Sequence, residues 1–147
     1  MTPVRRGARK AESNIKEAAR RIQHYFLVLN QGMLPKTDLD WRHFTESCHV
    51  YSCPIECVQE SYTARLIYDE RLRDGWLIAY NAKGSPEQVC RWIAHEMAEY
   101  FALCDSPSLF DDLPQRVYYY TGGTDPDDAR HRIARRVEEI CFRGLKR

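Results

Sequence analysis

The segment Ser85-Pro86-Glu87-Gln88-Val89-Cys90-Arg91-Trp92-Ile93-Ala94-His95-Glu96-Met97-Ala98-Glu99-Tyr100-Phe101-Ala102-Leu103-Cys104 decides how the chain folds. Ser85 offers a capping oxygen, Pro86 suits the first helical position, and Gln88 completes a capping box. These signals predict a helix from there to about Cys104, ahead of Pro107. At about 100° per residue, Val89, Ile93, Met97, Tyr100, Phe101 and Cys104 share one apolar face. His95 and Glu99 fall outside that stripe, yet Trp92, Ala98, Ala102 and Leu103 beside them are also apolar. A helix that is apolar nearly all round is a central, buried element. Burying a carboxylate is costly unless it is paired or bound to a cation. His95, Glu96 and Glu99 therefore need a common partner.

A metal ion supplies one. Residues four apart lie on the same helix face, one turn above each other, so His95 and Glu99 can point at a single ion. Glu96 is rotated by about 100° from His95 and sits to the side, placed to take a proton from water. This is the logic of the H-E-x-x-H zinc motif, with glutamate where the second histidine stands. A carboxylate oxygen is an ordinary ligand in catalytic zinc sites. The third ligand must come from elsewhere, and His131 is the candidate, with Glu138 on the same helix face in reserve. His95, Glu99 and His131 make two histidines and one carboxylate, a known composition for catalytic zinc. Against this stands the ordinary fate of such patterns, in which the acids are solvated or ion-paired and His131 is an exposed member of Arg130-His131-Arg132.

Upstream, Ile15, Ala18, Ala19, Ile22, Phe26 and Leu29 recur at helical spacing and predict a first helix over about Ala11–Leu29, closed by Gly32 and Pro35. Asp38 is the expected cap of a short helix through Phe44. Three strands are expected, over Cys48–Ser52, Ala64–Tyr68 and Trp76–Tyr80, the first interrupted at Pro54. Asp74-Gly75 is a hairpin signal between the last two, and a small antiparallel sheet follows. Downstream, Leu109–Gly123 reads as a long loop with an extended piece at Val117–Tyr120. Thr124-Asp125-Pro126-Asp127-Asp128 opens a last helix with acids in its first turn and Arg143, Lys146 and Arg147 at its end.

The 147 residues suit a single domain over 11–147, preceded by a flexible basic arm at 1–10. A net charge of +1 gives the whole molecule no pull toward nucleic acid or anionic membranes. No apolar run approaches the ~20 residues of a membrane span, and no apolar stretch follows Arg5-Arg6 as in a signal peptide. The expected location is cytoplasmic. Six cysteines in that setting are expected as reduced thiols.

The order Trp76-Leu77-Ile78-Ala79-Tyr80-Asn81, then Arg91-Trp92-Ile93-Ala94-His95-Glu96-Met97-Ala98-Glu99, resembles the ImmA/IrrE family of metallopeptidases. The likeness covers roughly Asp38 to Leu145. In that family a strand ending in Tyr-Asn precedes the H-E-x-x-H helix. A downstream helix then supplies a glutamate ligand ahead of an Ala-Asn-x-Phe-Ala-like stretch. Here His131 holds that place, followed by Ala134, Arg135, Val137 and Glu138. The chain thus departs from the family at two ligand positions, with the residue types exchanged.

The resemblance implies an α+β, zincin-like fold with the metal-binding helix at its centre and a small sheet packed on helices. It implies zinc as cofactor, a protein or peptide substrate such as a transcriptional regulator, and Glu96 as catalytic base. In such an enzyme the ion lowers the pKa of water, and Glu96 takes its proton and passes one to the leaving amine. Tyr118, Tyr119 and Tyr120 are candidate oxyanion donors, although packing is the plainer reading of that run. The competing reading is a noncatalytic zincin-like module that grips a regulatory protein or DNA.

Two other features have plainer readings. Cys48, His49, Cys53 and Cys57 lack the usual C-x-x-C spacing of zinc clusters and read as buried thiols. Arg130, Arg132, Arg135, Arg136 and Arg143 read as the solvated face of the last helix, so nucleic acid is not an expected partner.

Overall fold

The computed structural model describes residues 3–56, 59, 61–104 and 129–142. Helix α1 (Pro3–Leu29) is followed by α2 (Asp38–Ser47), strands β1 (Val50–Ile55), β2 (Ala64–Tyr68) and β3 (Trp76–Asn81), then α3 (Pro86–Cys104) and α4 (Ala129–Cys141). The architecture is α+β, with four helices and a three-stranded sheet among the described residues.

Local signals place α3. Gln88 N donates to Ser85 Oγ and Ser85 N to Gln88 Oε1, the reciprocal pair anticipated for its start. At α2 the cap is Thr37, not Asp38. Asp40 N donates to Thr37 Oγ1 while the Asp40 carboxylate accepts from the Thr37 backbone N–H. Asp38 is the first helical residue, where its charge favours the helix dipole. Helix α1 begins upstream of the expected Ala11, with Pro3 in its first turn, so residues read as a flexible arm lie within helical backbone.

The sheet is mixed, which corrects the antiparallel expectation. Its order is β1-β3-β2. The hairpin β2–β3 is antiparallel, Leu66 facing Ile78, whereas β1 runs parallel to β3 with Ser52 opposite Ile78. The chain leaves β1 for the far side of β3, so β1 and β2 never meet. Among the described residues both are edge strands, and an edge tolerates proline, so β1 continues through Pro54 to Ile55 instead of stopping at Ser52. Gly75 takes φ +83° in the hairpin turn, a conformation suited to glycine.

One core binds these layers. Ile15, Ala18, Ala19, Ile22 and Phe26 of α1 are buried together with Ile93, Ala94, Met97, Ala98 and Ala102 of α3 and Ile133, Ala134 and Val137 of α4. Phe26 meets the rings of Trp41, Phe44 and Phe101 at 5.4, 5.5 and 5.8 Å. Leu29, expected on the inner face of α1, is exposed, because α1 ends there and the chain turns away through Gly32. Helix α3 is covered by α1, α2 and α4 and by the sheet, as a helix apolar on most sides must be. Helix α4 lies against both α3 and α1, which fixes where its side chains meet those of α3. The expected loop over Leu109–Gly123, its extended piece at Val117–Tyr120 and the helix start at Thr124 lie outside the described residues. Among the described residues, no helix is long and apolar enough to cross a membrane.

Candidate metal centre

His95 and Glu99 stand one turn apart on α3, with His95 Nε2 3.4 Å from Glu99 Oε2. From α4, His131 brings its ring to 5.0 Å from that of His95, centroid to centroid, at 60°. One potential ligand atom from each of His95, Glu99 and His131 falls within 4.8 Å of the other two, and this group can hold a metal ion. Two helices therefore bring together the three residues that the sequence singles out as ligands. Small residues permit the close approach, since Ala94 and Ala98 of α3 and Ala134 of α4 are all buried.

Glu96 lies on the β2 side of α3, near the Leu66 backbone, and is only 5% exposed; Glu99 is 1% exposed. Glu96 Oε2 and Glu99 Oε2 are both buried and accept no well-formed hydrogen bond. Burial pushes the Glu96 carboxyl well above its usual range and the charge of Glu99 adds to this, against the pull of His95 and of the Leu66 backbone. Glu99 is held below its usual range: burial opposes its charge, but the close contact and charge of His95 outweigh it. Burial likewise opposes an imidazolium at His95. Close contacts with the Glu138 and Glu99 carboxylates, with the charges of Glu96 and Glu99, overcome it and push His95 up to about 10.

Buried carboxylates and an imidazole packed this closely make a group that could hold a cation. Three acids converge on one imidazole, and two buried carboxylate oxygens lack a well-placed donor. A divalent cation held by His95, Glu99 and His131 would satisfy the Glu99 oxygen. The donor set, two imidazoles and a carboxylate, suits zinc and several other first-row metals. The residues present fit such an ion.

No protein-family model matches this chain, and neither a curated protein nor a solved structure does.

Two residues have roles that the linear pattern does not disclose. Glu138, held in reserve as a ligand, faces the other side of the His95 ring: its Oε2 is 3.3 Å from His95 Nδ1. Arg91 carries no motif, yet it is buried and donates from Nε to Glu138 Oε1 at 3.2 Å. The available signal is spacing, because Arg91 lies four residues before His95 and shares its face. Arg130 is also buried, so it leaves the solvated face expected of the α4 arginines, whereas Arg132 and Arg135 are exposed.

A cavity of about 480 Å³ opens beside the group, between α3, α4 and the start of β2. Thr63, Gln88, Trp92 and Arg135 line it together with His95, Glu96 and His131. Tyr118, Tyr119 and Tyr120, the oxyanion candidates, lie outside the described residues, as does Cys57. Cys48 and Cys53 are free thiols. Among the described residues, His95, Glu99 and His131 form the one group of three or more such side chains close enough to share an ion.

Proposed function

We propose that the chain is a zinc-dependent metallopeptidase of ImmA/IrrE type, with a zincin-like domain that hydrolyses peptide bonds in a regulatory protein of the cytoplasm. The observation that carries this reading is the convergence of His95, Glu99 and His131 within 4.8 Å at the wall of a cavity that Glu96 also lines. The Tyr80-Asn81 strand end and the His95-Glu96-Met97-Ala98-Glu99 helix support the family assignment by their order and spacing.

His95, Glu99 and His131 would hold the ion. When bound, it supplies Lewis-acid chemistry, making water a competent nucleophile near neutral pH and polarising the scissile carbonyl. Glu96 is the base. Burial raises the proton affinity of its carboxyl above that of an ordinary glutamate, the direction in which a general base is tuned. It takes a proton from the attacking water and delivers one to the leaving amine. The surrounding core, with Leu66, Ile93 and Met97 fully buried, leaves Glu96 only 5% exposed. The open cavity above gives an extended peptide access.

The test is metal analysis of protein prepared without chelators and dialysed against limiting zinc, together with hydrolysis of an unfolded protein such as reduced casein. About one zinc per chain is expected, with cleavage that Glu96→Gln stops while the zinc stays. Protein that takes up no zinc overturns the reading. Zinc uptake with no cleavage of any protein, and no effect of Glu96→Gln on partner binding, would favour the noncatalytic module instead.

A further inference from the structure

We propose that Glu138 is a positioning residue for the metal group, fixing His95 in the tautomer whose Nε2 is free to bind the ion, and that Arg91 fixes Glu138 in turn. The inference rests on the metal reading above and extends it to two residues outside the ligand set.

The contacts divide the two nitrogens of His95 cleanly. Nε2 faces Glu99 Oε2 at 3.4 Å, and Glu99 belongs to the group that His131 completes. Nδ1 faces Glu138 Oε2 at 3.3 Å. A ligand nitrogen must carry a lone pair, so a metal-binding imidazole keeps its one proton on the other nitrogen. An ionised carboxylate can only accept. Glu138 therefore requires a proton on Nδ1, and that leaves Nε2 for the ion. The reverse tautomer would set a bare nitrogen against a carboxylate oxygen.

Glu138 is itself held. Its second oxygen accepts from Arg91 Nε, and Arg91 is 8% exposed, so the guanidinium has little freedom to leave. With one oxygen on Nδ1 and the other on Arg91, both oxygens of Glu138 are committed away from the face shared by Glu99 and His131. This separates it from the ligands, although its helix position alone would let it serve as one. Arg91, Glu138 and His95 form a chain that runs from α3 to α4 and back to α3. The packing of the two helices and the orientation of the ligand ring are thereby linked. Outer partners of this kind typically tune metal affinity about 10–100-fold.

Zinc affinity, read by competition with a chromophoric chelator, decides the matter. Glu138→Ala is expected to keep a stoichiometry of one zinc and to bind it about 10–100-fold more weakly. Glu138→Gln, whose amide oxygen still accepts from Nδ1, is expected to lose less. Long-range ¹⁵N–¹H spectra of the zinc-loaded wild type are expected to show His95 protonated at Nδ1, a signature that a merely structural role would not set. Wild-type affinity in Glu138→Ala, or a zinc-loaded His95 protonated at Nε2, overturns the proposal while leaving the metal reading intact. Complete loss of zinc in both Glu138 variants would make Glu138 a ligand and overturn it as well. Should Glu138→Ala fail to fold, the Gln variant and the wild-type spectrum still decide. A wild type that takes no zinc under any condition removes the metal reading itself.

Discussion

His95 and His131 sit on different helices, yet their rings are 5.0 Å apart and inclined at 60°. Two imidazoles at that distance and angle do not stack; a ligand nitrogen of each and a Glu99 carboxylate oxygen lie within 4.8 Å of one another. Removing any of the three should therefore act on metal affinity first. His131→Ala and Glu99→Gln are each expected to weaken zinc binding by more than the roughly 10–100-fold attached to an outer partner. Equilibrium dialysis with zinc measures this, and a His131→Ala protein that holds zinc as tightly as wild type would break the argument.

The metal-free protein should be acid-preferring in its stability. His95 is pushed up to about 10 from an ordinary 6.5, so between those values the native state holds a proton that the unfolded chain has released. Stability from this source is full below 6.5 and is lost as pH rises through about 10. Glu96, raised well above 4.5, acts in the same direction, because the unfolded chain gives up that proton first. Glu99 and Glu138 are lowered, so their contribution is full above 4.5 and is lost on acidification. The melting temperature with a chelator present is expected to be highest between about pH 4.5 and 6.5 and to fall toward pH 10. Zinc competes with these protons, so its stabilising increment should grow as pH rises. Calorimetry across pH, with and without zinc, checks both slopes. A metal-free melting temperature that climbs from pH 6.5 to 10 contradicts them.

The parts of the fold that were legible are those set by local chemistry. Ser85, Pro86 and Gln88 mark the start of α3 because a capping box is a contact among near neighbours. Ile15, Ala18, Ala19, Ile22 and Phe26 mark the inner face of α1 because helical periodicity is local too. The sheet order was not legible. Whether β1 joins β3 in parallel or pairs with β2 is a non-local choice, and a local pattern of strand residues over Val50–Ile55 is compatible with either. Pro54 argues for an early end to β1 only on the assumption that both of its sides are paired. The three converging residues were legible by type and spacing, but the different placement of Glu138 was not. His131 and Glu138 share a face of α4, and only the packing of that helix on α3 brings one into the group with Glu99 and sets the other against His95 Nδ1. The burial of Arg91 depends on the same packing, and its residue type suggests the opposite.

Phe26 should matter to stability without touching the chemistry. Its ring is fully buried and contacts Trp41, Phe44 and Phe101, joining α1, α2 and α3. Phe26→Ala leaves a cavity that the surrounding aromatic rings cannot collapse to fill, and is expected to cost about 3–5 kcal/mol. Urea denaturation measures the loss. The remaining folded protein is expected to bind zinc as wild type does, because the aromatic cluster around that ring does not include the ligands.

Glu96→Gln separates catalysis from stability. The substitution keeps shape but removes an ionisable group that burial and the Glu99 charge disfavour in its charged form. Above the pH at which an unfolded glutamate ionises, wild type must either bury a charge or hold a proton that solvent would take, and glutamine needs to do neither. The variant is therefore expected to melt higher than wild type at pH 8 without metal, by about 2–4 °C for each kcal/mol relieved. Peptide hydrolysis should vanish, because an amide cannot carry the proton from water to the leaving amine. Zinc content should hold, since Glu96 is not among the converging ligand atoms. Higher stability, retained metal and lost turnover together are what a buried base requires. A Glu96→Gln protein that melts lower than wild type would indicate that Glu96 is charged and paired in the native state, a structural ion rather than a base.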